Sequence, residues 1–169
     1  MMAENKDELI ELASRLARYQ GVDEQTGLPN LRQFLRELER ELARARRLRE
    51  WTVLLVLEPD HEVEMERFSE AVRGAVRLED LVARIGGRRL AVLLVATAAH
   101  AGRLVASRLQ ERVHDLTTVS IGIRPVAPSE ADPGAAPEIL RDAVVTLEEA
   151  QATGGDLLVV WDSLVENPN

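Results

Sequence analysis

The sequence predicts an α/β domain in which one sheet carries helices on its faces. Apolar runs of strand length alternate along the chain with amphipathic segments of helical period, which is typical of this class. A glycine pair joins two of the predicted strands into a hairpin. The 169 residues are enough for one domain with a proper hydrophobic core.

Composition narrows the class of protein. The chain is 46% hydrophobic and 30% charged, as in soluble globular proteins, and its 3% of aromatic residues predicts an aliphatic core. It has no cysteine, which excludes disulfides and thiolate metal sites and fits a cytoplasmic location. A net charge of −8 and the lack of a long apolar run indicate that neither nucleic acid nor a membrane is a partner.

The first predicted helix, Asp7 to Gln20, lies in an N-terminal segment of residues 1–22. Its apolar residues are three and four positions apart, like a short coiled-coil seam. This pattern fits a dimerising stalk and a helix packed on its own domain equally well. The seam consists of Leu9, Leu12, Leu16 and Tyr19.

The second helix is predicted over Leu31 to Arg49, after a turn-rich link. Its Glu and Arg residues lie three or four apart and predict a solvated face that supports the helix, not a nucleic-acid surface. The stripe expected in the core comprises Leu31, Phe34, Leu35, Leu38, Leu42 and Ala45.

The remaining elements follow from periodicity and from glycine and proline signals. The run Trp51 to Leu57 is apolar throughout, so we expect it in the middle of the sheet. A helix is predicted over His61 to Arg77, with Met65, Phe68, Val72 and Val76 facing inward. After the hairpin Asp80 to Val95, a helix is predicted over Ala98 to Val113, with Ala101, Val105, Leu109 and Leu104 facing inward. The last predicted elements are strand Thr117 to Ile123, loop Pro125 to Pro137, helix Glu138 to Ala152 and strand Asp156 to Trp161.

The hairpin is the expected location of a site, because a turn held by a rigid sheet commonly presents functional groups. We predict a type I′ turn at Gly86-Gly87, since glycine supplies positive φ at little cost. Arg84, Arg88 and Arg89 surround it. The last two are expected to be solubilising turn residues, with a partner-binding tip as the alternative.

Four motifs follow one another along the chain: D-E-Q-T-G-L-P-N at 23–30, V-A-R-I-G-G at 82–87, V-S-I-G-I at 119–123 and A-Q-A-T-G-G-D at 150–156. In order and spacing they resemble the motifs of GGDEF domains, the bacterial diguanylate cyclases. The resemblance runs from about Asp23 to Trp161. It implies a nucleotidyl-cyclase-like sandwich with a mostly antiparallel central sheet, in which residues 23–163 form a degenerate GGDEF-like domain and residues 164–169 a tail.

The resemblance also implies that cyclase activity is lost. The family's signature turn reads G-G-[DE]-E-F and its acids hold Mg²⁺, whereas this turn consists of Gly86, Gly87, Arg88, Arg89 and Leu90. Arginines repel the cation that phosphoryl transfer needs. The helix after Glu58-Pro59-Asp60 is too short for the guanine-reading segment, and Gln151 and Gly155 replace phosphate-contacting residues. We expect no catalytic residue, no metal site and no cofactor.

The resemblance further implies that this chain retains one ligand-binding site of the family. Cyclases of this type are inhibited by cyclic di-GMP at an R-x-x-D motif five residues before the glycine pair, and Arg77 and Asp80 have that spacing. Arg108, in A-S-R-L, matches a further arginine of the site. Guanidinium groups grip phosphate and stack on guanine, and a carboxylate accepts its N–H groups. By itself, the motif also fits a solvated ion pair.

Two functions therefore stay open at the level of sequence. The first is a cyclic di-GMP receptor in which the ligand ties the domain to a second copy or to a partner signalling protein. The second is a ligand-independent scaffold of the same fold, which assembles through its first helix as a homodimer or with a partner.

Overall fold

The computed structural model describes residues 2–162, without the side chains of residues 2–4 and 17–19. Helices and strands follow one another in the predicted order. The tail predicted at 164–169 lies outside the described residues. The elements are α1 Met2–Gln20, α2 Leu31–Leu48, β1 Thr52–Pro59, α3 Met65–Gly74, β2 Leu81–Gly86, β3 Arg89–Leu94, α4 Ala99–Val113, β4 Val119–Val126, a 3₁₀ turn Pro133–Ala135, α5 Ala136–Ala152 and β5 Leu158–Val160.

The sheet has the strand order β2-β3-β1-β4-β5, so the continuous apolar strand β1 lies in the middle as predicted. Pairing is antiparallel at β2-β3, β3-β1 and β1-β4, and parallel at β4-β5. The mixed α/β fold with a mostly antiparallel sheet is therefore confirmed.

Helices cover both faces of this sheet. Val53, Leu55 and Leu57 of β1 pack with α3 and α4, while Leu54 and Val56 pack with α2 and α5. Because successive strand side chains point to opposite faces, a strand buried on both sides must be apolar at every position. This explains why residues 53–57 of β1 and 90–94 of β3 contain no polar residue.

The third helix is shorter than the predicted His61 to Arg77. Residues before Met65 stay extended because they are held beside the start of β4, where Asp60 N donates to Thr118 O at 2.9 Å. The helix ends at Gly74, and the chain then turns towards β2. Val76, which we expected inside, is half-buried.

Three side chains differ from the predicted core. Leu31 and Leu104 are 41% and 68% exposed, since one lies in the first turn of α2 and the other on the outer side of α4. Glu41, expected on the solvated face, is buried and accepts a hydrogen bond of 2.8 Å from Thr52 Oγ1. On α4, Gly102 packs directly on β1, and a Cβ there would lie 2.6 Å from Val53 Cγ1.

The C-terminal elements differ from their predicted counterparts mainly in the residues at which they begin and end. β4 continues to Val126, so Pro125 belongs to a strand, and α5 begins at Ala136, directly after the 3₁₀ turn. β5 is reduced to Leu158–Val160, because positive φ angles at Gly154, Gly155 and Asp156 turn the chain before it can pair with β4.

Helix α1 exposes its apolar seam. Leu9, Leu12 and Leu16 are 61%, 54% and 51% exposed, and the side chain of Tyr19 lies outside the described residues. A hydrogen bond of 3.1 Å from Ser14 Oγ to Glu24 ties the helix to the following loop. These three leucines therefore do not pack on the domain of their own chain, which was one of the two alternatives for this helix.

Candidate functional site

The tip of the hairpin forms one residue later than predicted. Gly86 pairs with Arg89, and Gly87-Arg88 forms the turn. Gly87 has a φ of 54°, but Arg88 is not among the described residues with positive φ, so the turn is not type I′, which needs positive φ at both central positions. The shift follows from an irregular register between Arg84 and Gly86.

Arg89 points back across the sheet towards an acidic residue at the end of β1. Its Nε lies 2.9 Å from Glu58 Oε2, and its Nη2 lies 3.3 Å from Glu148 Oε1. Gln151 Nε2 donates to the same Glu58 oxygen at 2.9 Å, while Arg88 stays 4.0 Å from the carboxylate. Arg89 is therefore an internal counter-ion and not a solubilising turn residue.

Burial by itself would lower the pKa of Arg89, but its contacts with Glu58 and Glu148 outweigh burial and the pKa is raised. The guanidinium therefore stays charged at every pH at which the protein is folded. A fixed positive charge at this place neutralises the Glu58 carboxylate and disfavours a divalent cation beside it.

Asp60, the second acid at this end of β1, holds the C-terminal segment. Its carboxylate accepts hydrogen bonds from Thr118 Oγ1 at 2.7 Å, Ser120 Oγ at 2.6 Å and Asp156 N at 2.9 Å. Between residues 2 and 162, no group of three or more His, Asp or Glu side chains could hold a metal ion.

Arg77 and Asp80 form a two-pronged ion pair before β2. Arg77 Nη2 lies 3.0 Å from Asp80 Oδ1 and Arg77 Nε lies 3.1 Å from Oδ2. The carboxylate also accepts from the backbone N–H groups of Arg77 and Val95, at 3.0 and 3.1 Å. These contacts raise the pKa of Arg77, the hydrogen bond with Asp80 being the main cause.

The two partners differ sharply in exposure, because the Asp80 side chain is 2% exposed and that of Arg77 is 48% exposed. Arg77 Nη2 further donates to Val95 O at 2.6 Å and to Thr97 Oγ1 at 3.0 Å. The guanidinium is thus fixed on one side, while on its exposed side Nη1 lies 3.6 Å from Oε1 of the exposed Glu79.

The structure joins two of the three predicted ligand residues. Arg108 is exposed on α4, and among the described residues no hydrogen bond or ion pair connects it with Arg77 or Asp80. A cavity of about 260 Å³ adjoins the pair and is lined by Arg73 as well as Arg77. Sequence reasoning missed Arg73, although it lies four positions before Arg77.

A second contact links the hairpin to the loop after α1. Arg84 Nη1 lies 3.2 Å from Asp23 Oδ2 and donates to Gln25 at 2.7 Å, and Arg84 Nε donates to Gly87 O at 2.9 Å. Burial would raise the pKa of Asp23, but hydrogen bonds from Thr26 and Arg84 lower it overall. Asp23 and Arg84 both lie in motifs identified in the sequence, but the sequence did not predict that they pair.

Comparison with known proteins agrees with this architecture, although no protein-family model matches the chain. The diguanylate cyclase DgcP of Pseudomonas aeruginosa is 33% identical over 104 residues, which cover 54% of this chain and 16% of that relative. The GGDEF domain of TpbB (YfiN) from the same organism superposes with a TM-score of 0.74 at 27% identity, over 83% of this chain and 94% of the other. This chain carries a GGDEF-like domain.

The coiled coil and GGDEF domain of DgcB from Caulobacter crescentus, solved in complex with cyclic di-GMP, also shares the fold of this GGDEF-like domain. The TM-score is 0.68 at 20% identity, and the match covers 94% of this chain and 96% of that structure. None of the described helices is long and apolar enough to cross a membrane.

Proposed function

We propose that this GGDEF-like domain binds cyclic di-GMP at Arg77 without producing it. The observation that carries this function is the Arg77–Asp80 ion pair, which holds a half-exposed guanidinium at the mouth of a cavity. A side chain already fixed in one orientation loses little conformational entropy when it binds a phosphate. Its Nη1 group can then donate to a phosphate oxygen, and its exposed plane can stack on guanine.

The side chains of the proposed binding site have different roles. Asp80 already has four donors, which is the full capacity of a carboxylate, so it orients Arg77. Arg73 and Arg108 are exposed and supply further positive charge for the two phosphates. The binding of cyclic di-GMP by the structurally similar DgcB supports this choice of ligand.

The absence of turnover rests on Arg89. Its 2.9 Å contact with Glu58 puts a positive charge where metal-assisted phosphoryl transfer needs a cation-binding acid. Incubation with GTP and Mg²⁺ should therefore yield no cyclic di-GMP. Product that accumulates in proportion to enzyme concentration would contradict this part of the function.

Isothermal titration with cyclic di-GMP tests the receptor. Arg77→Ala is a poor probe by itself, because it leaves the buried Asp80 unpaired and lowers stability. The sharper variants are Arg73→Ala and Arg108→Ala, for which we expect at least about tenfold weaker binding each. Arg103→Ala, another exposed arginine of α4, is the matched control and should bind like the wild type.

A ligand-independent scaffold is the second candidate, favoured by the exposed leucines of α1. Leucines at coiled-coil spacing that are more than half exposed are typical of a helix that pairs with another chain. Light scattering tests this candidate. Leu12→Gln should shift a dimer to monomer, whereas Leu104→Gln, at an exposed leucine of α4, should leave the mass unchanged.

A further inference from the structure

Four arginines form a continuous stripe on the outer side of α2. Residues 32, 36, 40, 43 and 47 follow one another at intervals of four, four, three and four, so they lie on one line along the helix. All five are exposed, and they are Arg32, Arg36, Arg40, Ala43 and Arg47. The line is about 22 Å long at the usual rise per residue.

The stripe points directly away from the core. The buried side of α2 consists of Phe34, Leu38, Glu41, Leu42 and Ala45, which occupy the opposite side of the helix. Within residues 2–162, Arg40 is the one member of the stripe with an acidic partner, Glu37 at 3.0 Å. The other guanidinium groups project into solvent.

Support of the helix does not explain this arrangement. The first turn of α2 holds Arg32 and no acidic residue, although the positive end of the helix dipole favours acids there. Arg32–Arg36 and Arg36–Arg40 are like-charge pairs four residues apart, which weaken a helix. The N-terminal half of the stripe therefore lowers the intrinsic stability of the helix, although Arg47 lies in the last turn, where the dipole favours a cation.

The stripe is also a local exception in an acidic chain. Residues 31–49 hold seven arginines and three glutamates, a net charge of +4, so the rest of a chain with net charge −8 carries −12. Helix α5 covers the same face of the sheet and exposes Glu138, Glu148 and Glu149 as well as Arg141. The stripe is thus a basic ridge on an otherwise acidic domain.

We propose that the arginine stripe of α2 binds the acidic side of a helix in a partner protein. An acidic helix with carboxylates every three or four residues repeats at the same interval of about 6 Å as Arg32, Arg36 and Arg40. Its narrow charged side matches the shape of the stripe. Duplex DNA and anionic membranes extend well beyond 22 Å and would be repelled by the rest of the chain, which carries a net charge of −12.

Fluorescence anisotropy with a labelled peptide tests this surface. The probe is a helical alanine-based peptide of about 20 residues with glutamate at every fourth position, and its glutamine counterpart is the neutral reference. We expect binding of the acidic peptide that weakens as salt rises towards about 0.15 M. Equal binding of both peptides would overturn the proposal.

Two triple variants with the same change in net charge isolate the stripe. Arg32→Gln, Arg36→Gln and Arg47→Gln together should weaken binding by at least roughly tenfold. Arg67→Gln, Arg103→Gln and Arg112→Gln, at exposed arginines of α3 and α4, should leave it within about twofold. Equal loss in both variants would indicate a net-charge effect and overturn the assignment.

Anionic vesicles and a duplex of random sequence serve as competitors. Failure of both to displace the peptide supports a protein partner, while displacement by either at equal charge concentration would overturn that choice. Cyclic di-GMP binding at Arg77 is measured separately, so the two assignments can fail independently.

Discussion

A buried ion pair joins β4 to α5. Arg124 Nε lies 3.1 Å from Asp142 Oδ2, and the two side chains are 9% and 7% exposed. Arg124 also lies over the Trp161 ring, with its central carbon 5.6 Å from the centroid. A charge this far from water is stable only with its partner in place.

Asp142→Ala should therefore lower the free energy of unfolding by about 3 kcal/mol, because Arg124 loses its buried counter-ion. Urea unfolding measures the change. Glu130→Ala removes the more exposed partner of the same arginine, 44% exposed at 3.4 Å, and should cost less than about 1 kcal/mol. Equal losses would contradict a dominant role for the buried pair.

Arg89→Glu should destabilise the fold by about 2 kcal/mol. The change brings three carboxylates together at the end of β1, where each disfavours ionisation of the others. Thermal and urea unfolding measure the loss. Arg88→Glu, at a residue 4.0 Å from Glu58 and 40% exposed, is the control, with an expected change below about 1 kcal/mol.

At the scale of elements, the Asp23–Arg84 contact joins the loop after α1 to the hairpin. Two further bonds reinforce it, since Arg84 N donates to Pro29 O at 2.9 Å and Asn30 N donates to Gly21 O at 2.8 Å. The loop that follows α1 is therefore held against β2 by both side-chain and backbone hydrogen bonds.

Asp23→Asn should lower stability by about 1 kcal/mol at pH 7. The pKa of Asp23 is lower in the folded protein than its ordinary 3.8, so its stabilisation is present above pH 3.8 and is lost as the pH falls through the folded value. Urea unfolding of both proteins between pH 7 and about pH 3 should show the difference shrinking in acid. A constant difference would mean that the charge of Asp23 contributes nothing.

The elements themselves were largely predictable, whereas their ends were not. The apolar run of β1 and the glycine hairpin identify strands because burial on both faces permits few polar residues. The true start of α3 depends on contacts of Asp60 with β4, a neighbour far along the chain. Periodicity does not report such long-range contacts.

The candidate site was likewise predictable only in part. The pairing of Arg77 with Asp80 could be recognised from the sequence because it is local, the two residues being three positions apart. The partners of Arg89, Glu58 and Glu148, lie 31 and 59 positions away, so no local pattern could reveal them. The residues of the hairpin could therefore be identified from the sequence, but the neutralisation of Glu58 and Glu148 by Arg89 could not.

At the scale of the whole molecule, the close fit of α5 on the sheet depends on one glycine. A Cβ at Gly122 would lie 2.5 Å from Ala143 O and 2.5 Å from Leu147 N. Backbone atoms cannot move aside as a flexible side chain can, so the spacing between helix and sheet requires glycine here. The motif at 119–123 thus has a packing role as well as a family resemblance.

The midpoint of thermal unfolding should not depend on divalent cations. A ligand stabilises a fold only if it binds the native state, and Glu58 already has Arg89 and Gln151 as partners. Scans with excess Mg²⁺ and with EDTA should therefore agree within about 1 °C. A rise in the midpoint with Mg²⁺ that disappears in Glu58→Gln would identify a metal site at this carboxylate.

The contact between Arg89 and Glu58 also constrains how the sequence can change in evolution. Replacement of Arg89 by an acid would crowd negative charge beside Glu58 and Glu148 and lower the stability of the fold. An acid at this position is therefore tolerated only together with a change at one of the two glutamates. Sequences that keep both glutamates should also keep the arginine.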